Sequence, residues 1–475
     1  MELKMQCNLK QLVFVLILFW SFFSHASENL EIQKILNTYS FDKKNYTLII
    51  ENLNDPKKLT FSHNENKLFN VASLVKILTS FMAIEELGPN FQWQSDLYIQ
   101  GKVKDQLLDG NVIFKGRGDA SFSINDLEKM VRELRDRGIR EINGNLILDT
   151  SYFGALPKII DFDEDPMRAY NVLPNAISIQ SNTMNFKFIQ EKNKIHIETD
   201  PRLENFEIIN KLSLSQETCR GWRSAMKYEV KHELERSAIL FEGKFSKSCK
   251  NKEIDLSVME NGKYFFEIFK KLWHQNGGIF NGSYEYTNNK IDDLILIATH
   301  QSRRLSETIR DINKYSLNLM SRNLMLTMIT ESSATPADEG MVNRYVNDWF
   351  INRGYTNVDL YIDNGAGLSR NIKISSKQLK NILLEIYHHP LMPELVASFP
   401  ISAIDGTLEK RMVYSPINSK GHFKTGSLRD VNGIAGFFQN EKKEMILFVF
   451  IINDKKSDLS LNLQEKLINR TFYLN

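Results

Sequence analysis

Near the C-terminus, Met445-Ile-Leu-Phe-Val-Phe-Ile-Ile452 is apolar at every position. A strand with one wet face alternates apolar and polar residues, so an unbroken run of this kind reads as a strand buried on both faces. Gly433 to Phe438 reads as a second strand, joined to the first by the charged turn from Asn440 to Glu444. Such a sheet needs cover on both sides, and apolar residues at helical spacing supply candidates. Leu74, Ile77, Leu78, Phe81 and Ile84 mark one helix, stopped by Gly88-Pro89. Helical patterns also run from Leu305 to Ile329 and from Ser376 to Tyr387, and Leu459, Leu463 and Leu467 mark a last one.

The chain has 475 residues, room for two or three domains. Glu28 to Leu36 reads as a short helix, and Tyr46 to Ile50 with Lys58 to Phe61 as a hairpin around Asn54-Asp55-Pro56. The texture changes near Trp93. Asn111 to Phe114 leads into the turn Gly116-Arg-Gly-Asp119. Leu127, Met130, Val131 and Leu134 form an amphipathic helix ending near Gly138, and Asn145 to Leu148 a strand. Short strand patterns dominate from Ala176 to Phe245, and Phe265 to Trp273 is an apolar helix before Gly277-Gly278. Leu294 to Ala298 is strand-like again. The middle block therefore reads as an insertion into a domain that resumes toward the C-terminus.

Composition is that of an ordinary globular protein, 42% hydrophobic and 25% charged, and the formal charge of +2 leaves no footprint for nucleic acid. Lys4 and Lys10 precede the apolar run Leu12 to Phe23, and Ser24-His25-Ala26 offers small residues for cleavage. This reads as a secretory signal removed near Ala26, leaving an exported protein without stable membrane insertion, with an uncleaved anchor as the alternative. Cys7 lies ahead of that run. The remaining pair, Cys219 and Cys249, reads as one disulfide in an oxidising compartment, with two buried thiols as the alternative. They form no close ligand pair for zinc, and no metal or cofactor is expected.

Chemistry enters with Ser73-Leu-Val-Lys76 at the start of the first apolar helix and Lys424-Thr-Gly426 beside the terminal strands. A hydroxyl is a weak nucleophile until a base takes its proton, and a lysine three residues on along a helix shares its face. Alone the spacing is weak, since Ser40-Phe-Asp-Lys43 and Ser224-Ala-Met-Lys227 also fit it. A lone serine there is often only a helix cap, and Lys424 a solvated turn charge.

In order along the chain stand Ala72-Ser-Leu-Val-Lys76 with Leu87-Gly-Pro89, Phe114-Lys-Gly-Arg-Gly-Asp119, Ile312-Asn-Lys-Tyr-Ser-Leu-Asn318, Asp363-Asn-Gly-Ala-Gly-Leu-Ser-Arg370, Ile404-Asp-Gly-Thr-Leu408 and Lys424-Thr-Gly-Ser-Leu428. Through these segments the mature chain resembles the class C penicillin-binding proteins of the penicillin-binding protein 4 type, serine D-alanyl-D-alanine carboxypeptidases and endopeptidases. The resemblance implies a multidomain α/β (α+β) fold. A DD-peptidase/β-lactamase-like transpeptidase domain, a central antiparallel sheet with helices, spans 27–92 and 290–475. Two β-rich domains interrupt it, one at 93–170 and 246–289, the other at 171–245.

The resemblance also implies roles. Ser73 attacks the penultimate D-alanine carbonyl, and Lys76, kept neutral by burial and by Lys424, takes its proton. Ser316 relays a proton to the leaving group, and Asn318 holds substrate and lysine. Lys424, Thr425, Gly426 and Ser427 form the strand that receives the terminal carboxylate, with the Ser73 and Ser427 N–H groups as oxyanion hole. Arg370 matches a residue facing the acidic cross-linking amino acid of the stem peptide, or else makes a surface ion pair. Ser321/Asn323 and Ser369/Asn371 fit the SxN pattern too. Ser316/Asn318 is preferred for its flanking residues, which leaves Ser321 as packing.

Ala366, Arg117, Ala120, Leu317 and Arg429 depart from the common pattern or fall where it varies, without removing a catalytic group. His422 matches no catalytic histidine and reads as wall or packing. The implied partners are peptidoglycan stem peptides in the periplasm and β-lactams as inhibitors. The oligomeric state stays open, a homodimer included. A β-lactamase on the same site and a non-catalytic wall-binding protein of the same fold are the rival readings.

Overall fold

A computed structural model describes residues 29–55, 58–155, 162–163, 165–232, 236–356 and 358–474. The targeting segment, with its expected cleavage at Ala26, lies outside them. The chain divides into two compact units. One takes the residues up to Pro89, Leu305–Leu317 and the residues from Gly340 on; the other takes Asn90–Arg304 and Asn318–Glu339.

The first unit is built on a five-stranded antiparallel sheet in the order Gly421–Leu428, Val431–Gln439, Met445–Asn453, Tyr46–Asn52, Thr60–His63. The apolar run occupies the central strand, and every residue from Ile446 to Ile452 is fully buried. Alternation assigns these side chains to two cores. Ile446, Phe448, Phe450 and Ile452 pack with Leu463, Leu467 and Ile468 of helix Ser460–Phe472 and with Ile32 and Leu36 of the helix at 29–37. The other face carries helix Ser376–His388. Each such side chain contributes about 1.5–3 kcal/mol relative to exposure.

Helix Val75–Leu87 packs on Leu305–Lys314 and Ser376–His388 and is buried through its first ten residues. Its interior polar groups therefore need partners. Thr79 Oγ1 donates to the Gly365 carbonyl at 2.7 Å, and Ser80 Oγ accepts from Asn313 Nδ2 at 3.0 Å.

The second unit holds a seven-stranded mixed sheet around the hairpin Gln94–Lys104 and Leu107–Lys115, with Ile295–Gln301 on one side and Leu146–Asp149 and Tyr284–Thr287 running parallel on the other. Helices Ile124–Asp136 and Asn261–Gln275 pack on each other in this unit, the first closed by a Ser123/Asp126 capping box. Two three-stranded sheets follow, Asn251–Leu256 with Met184–Glu191 and Lys194–Asp200, and Phe206–Ser215 with Ser237–Ser246 and Met226–His232. Phe186, Phe188, Phe241 and Phe245 are fully buried among them. Cys219 and Cys249 form a disulfide with their Cα atoms 4.9 Å apart. In the chain-entropy picture a loop of that size stabilises by about 3–4 kcal/mol. A Cys219→Ala/Cys249→Ala variant is expected to lose most of this, read as a lower denaturant midpoint, while thiol reductant should destabilise only the parent.

Two expectations need correction, and one helix lies where the sequence reading had none. The helical pattern from Leu305 to Ile329 is two helices, Leu305–Lys314 and Asn318–Ser333. They part where Ser316 takes φ +58° and the Leu317 N–H donates to the Ile312 carbonyl at 3.2 Å. That is a Schellman stop with serine at the position glycine usually fills. The stretch from Ala176 becomes strand only at Met184. Helix Val342–Asn352 was not anticipated; Val342, Val346, Trp349 and Phe350 are its buried stripe.

Candidate active site

The helix of Ser73 begins as a tight turn, Ala72–Leu74, and continues as Val75–Leu87. Ala72 sits at φ +48°, an uncommon conformation for a residue with a side chain. Lys76 lies one turn beyond Ser73, fully buried, and its Nζ donates to Ser73 Oγ at 2.9 Å. The same Nζ donates to the Ala366 carbonyl at 2.6 Å, and Ser73 Oγ lies 3.4 Å from that oxygen.

That carbonyl is fixed by its own loop. Asn364 Oδ1 accepts from the N–H groups of Ala366 and Gly367 at 3.0 and 2.9 Å. Gly367 has φ +84°, and a Cβ there would stand 2.0 Å from the Ala72 carbonyl oxygen. Glycine thus permits the loop to lie against the nucleophile turn. The departure at Ala366 costs nothing at this contact, because the backbone makes it.

Lys424, also fully buried, stands on strand Gly421–Leu428 at the edge of the five-stranded sheet. Its Nζ donates to Ser316 Oγ at 2.9 Å and to the Thr425 carbonyl at 2.7 Å. Gly426 allows close approach, since a Cβ would be 2.6 Å from the Val71 carbonyl and 3.1 Å from the Ser73 nitrogen. The strand and the nucleophile turn are therefore in backbone contact.

Burial disfavours the charged form of both amines. It holds Lys76 well below the usual lysine range, with the nearby Lys424 cation adding to the effect, and brings Lys424 down to about 7. An unprotonated Nζ at hydrogen-bond distance from a hydroxyl can accept its proton, and the second amine touches a second hydroxyl, that of Ser316. The Ser73 hydroxyl, the Lys76 amine and a further hydroxyl–amine pair are gathered in one unit.

The other expected residues are distributed more widely. Thr425 Oγ1 lies 2.7 Å from Thr407 Oγ1, and Ser427 is exposed on the same strand. Arg370 is exposed and its Nη1 donates to the Arg429 carbonyl at 2.7 Å; both border an open cleft of about 640 Å³ with Asn70, Asn453 and Lys455. Asn318 begins helix Asn318–Ser333 in the other unit, where its amide donates to the Tyr170 carbonyl at 3.0 Å.

The competing motifs have local uses. Asn323 Nδ2 donates to the Gly118 and Asn175 carbonyls at 2.9 and 3.0 Å, and Ser321 is fully buried. Ser369 Oγ donates to Asp363 at 2.5 Å and accepts from the Asn371 N–H. Ser224 lies in a turn and bonds the Gly221 carbonyl. His422 lies on the Lys424 strand, where burial lowers its pKa and Nδ1 is buried without a hydrogen-bond partner. Asp405 and Thr407 carry no individual signal in the sequence, although both fall within Ile404-Asp-Gly-Thr-Leu408.

The profile of the D-Ala-D-Ala carboxypeptidase 3 (S13) family matches residues 28–471. The chain belongs to this family. D-alanyl-D-alanine carboxypeptidase DacB of Haemophilus influenzae is 26% identical over 417 residues, covering 86% of this chain and 85% of that protein. A penicillin-sensitive carboxypeptidase A of Dictyostelium discoideum is 24% identical, over 83% of this chain and 80% of the relative. The crystal structure of penicillin-binding protein 4 (dacB) from H. influenzae shares the fold, with TM-score 0.75 and 24% identity over 90% of this chain and 96% of that one. Its complex with a β-lactam gives TM-score 0.72 at 23% identity. This S13-family protein is thus an enzyme, a D-Ala-D-Ala carboxypeptidase by family. Among the described residues no helix is long and apolar enough to cross a membrane, and no cluster of potential metal ligands occurs.

Proposed function

We propose that this S13 enzyme cleaves the D-Ala-D-Ala bond of peptidoglycan stem peptides through an acyl-enzyme on Ser73. The observation that carries the reading is the buried Lys76 amine 2.9 Å from Ser73 Oγ, with burial and Lys424 both favouring its neutral form. Lys76 takes the hydroxyl proton as Oγ bonds to the penultimate D-alanine carbonyl carbon. The backbone N–H groups of Ser73 and Ser427 stabilise the developing oxyanion. The C–N bond then breaks as Ser316, in contact with Lys424, gives its hydroxyl proton to the departing D-alanine amine and regains one from Lys76, which is neutral again. Water attacks the ester, Lys76 accepts its proton, and the acid product leaves with Ser73 restored.

Binding follows the same elements. The edge strand Gly421–Leu428 lets the peptide add as a further strand, with Lys424 and Thr425 toward its terminal carboxylate. Asn318 contacts the peptide amide, and Arg370 takes the acidic side chain of the cross-linking residue. A β-lactam presents the same carboxylate and carbonyl and leaves an acyl group that water removes slowly. Residues 27–92 and 290–475 act as the catalytic domain, with the β-rich middle as its insertion, and the enzyme works in the periplasm after removal of its signal.

The test is to incubate the purified protein with fluorescent penicillin and locate the adduct by mass spectrometry. One adduct per chain on Ser73, with D-alanine released from a D-Ala-D-Ala-terminated peptide, is the expected result. An adduct on another serine, or none, overturns the mechanism. Rapid turnover of a chromogenic cephalosporin without peptide cleavage would instead favour a β-lactamase.

A further inference from the structure

One short segment touches both halves of the site and has no part in the mechanism above. Asp405 Oδ2 accepts from Lys314 Nζ at 2.5 Å, and its Oδ1 accepts from the Ile401 N–H at 2.8 Å. Lys314 is 2% exposed and ends the helix whose next turn presents Ser316. Gly406 has φ +57°, and a Cβ there would lie 2.3 Å from the Lys314 carbonyl oxygen, so this backbone rests on the helix end. Thr407 Oγ1 then reaches Thr425 Oγ1 at 2.7 Å. Beyond it Leu408 is fully buried and holds the Ala403 N–H through its carbonyl at 3.1 Å. The Thr407 hydroxyl is therefore delivered by an anchored turn.

We infer that Thr407 is a positioning residue that aims the Thr425 hydroxyl at the carboxylate end of the ligand. The inference rests on the proposed reading, in which Thr425 receives that carboxylate. A threonine hydroxyl carries one proton and two lone pairs, and by itself it rotates. With Thr407 donating to Thr425 Oγ1, the Thr425 proton stays available for an anion. In the opposite arrangement Thr425 would turn lone pairs toward the anion, so a bound carboxylate selects the first. A neutral group in the same place gains little from the choice, because hydrogen bonds to charged groups are the stronger ones. Thr407 thus sharpens preference for a free carboxylate without touching the reacting carbonyl.

The experiment compares Ser73 acylation by benzylpenicillin and by its methyl ester in the full chain, in Thr407→Val and in Thr407→Ser, with thermal midpoints measured alongside. Thr407→Val keeps the shape and removes the hydroxyl. It is expected to slow acylation by the free acid about tenfold and by the ester less than about twofold. Thr407→Ser should retain the parental ratio. Equal slowing with both ligands, or no slowing with either, overturns the inference while leaving the mechanism standing. Absence of a Ser73 adduct in the parent protein removes the mechanism and the inference with it.

Discussion

Ser73→Ala is expected to abolish the penicillin adduct, and Lys76→Met to slow acylation by about 10³-fold, within the range for loss of a positioned general base. Both variants should fold. Ser73 is small and partly buried, and methionine has nearly the length of lysine without the amine. Lys76→Met should even raise the unfolding midpoint, because it removes a buried ionisable group held well below its ordinary pKa. Higher stability with lost acylation is a combination that a misfolded variant cannot give.

The pH dependence follows from the same two lysines. In the folded protein their pKa values lie below the ordinary value of 10.5, so the unfolded chain binds these protons more tightly. Their penalty to folding is full below the folded values and shrinks as pH rises toward the unfolded one. Stability attributable to Lys424 therefore increases with pH from about 7 upward, and denaturant midpoints at pH 6 and pH 9 check this against Lys424→Met. Acylation needs the neutral Lys76 amine, so its rate should fall at acid pH as Lys76 takes up a proton. A rate that does not fall in acid would contradict lysine as the base.

Gly367→Ala is expected to be the most damaging single methyl group in the site. A Cβ would meet the Ala72 carbonyl at 2.0 Å and the Ser73 nitrogen at 2.9 Å, both backbone atoms, on top of the cost of φ +84°. The loop must retreat, and the Ala366 carbonyl that holds Lys76 moves with it. A stability loss of about 2–4 kcal/mol and at least about a tenfold loss of acylation follow. Gly354→Ala is the control. Its φ is +82°, but nothing lies within 4 Å of the added carbon, so about 1 kcal/mol of backbone strain is all that should appear.

What could be read from the sequence divides along physical lines. The buried strand from Ile446 to Ile452 and the helix of Ser73 were legible because each is uninterrupted and apolar enough to allow one local structure. The disulfide was legible because only one cysteine pair remains beyond the targeting segment. The stop at Ser316 was not, since apolar periodicity runs through it and serine does not mark a left-handed residue as glycine does. Helix Val342–Asn352 was missed because its apolar stripe is sparse, with Asn and Arg between its buried residues. The Lys314–Asp405 pair and the two threonine hydroxyls join residues far apart in the chain, which no local pattern records.

The pairing of Tyr46 with Ile452 has a consequence for how the enzyme comes into being. Strand Tyr46–Asn52 leaves the ribosome long before its neighbour Met445–Asn453 and the Lys424 strand. Closing so long a loop must await synthesis of those later strands. Ser73 and Lys76 are made before those strands, yet the Lys76 amine is buried only when they dock. On the proposed reading, a chain that stops before these strands carries Ser73 without a neutral base beside it.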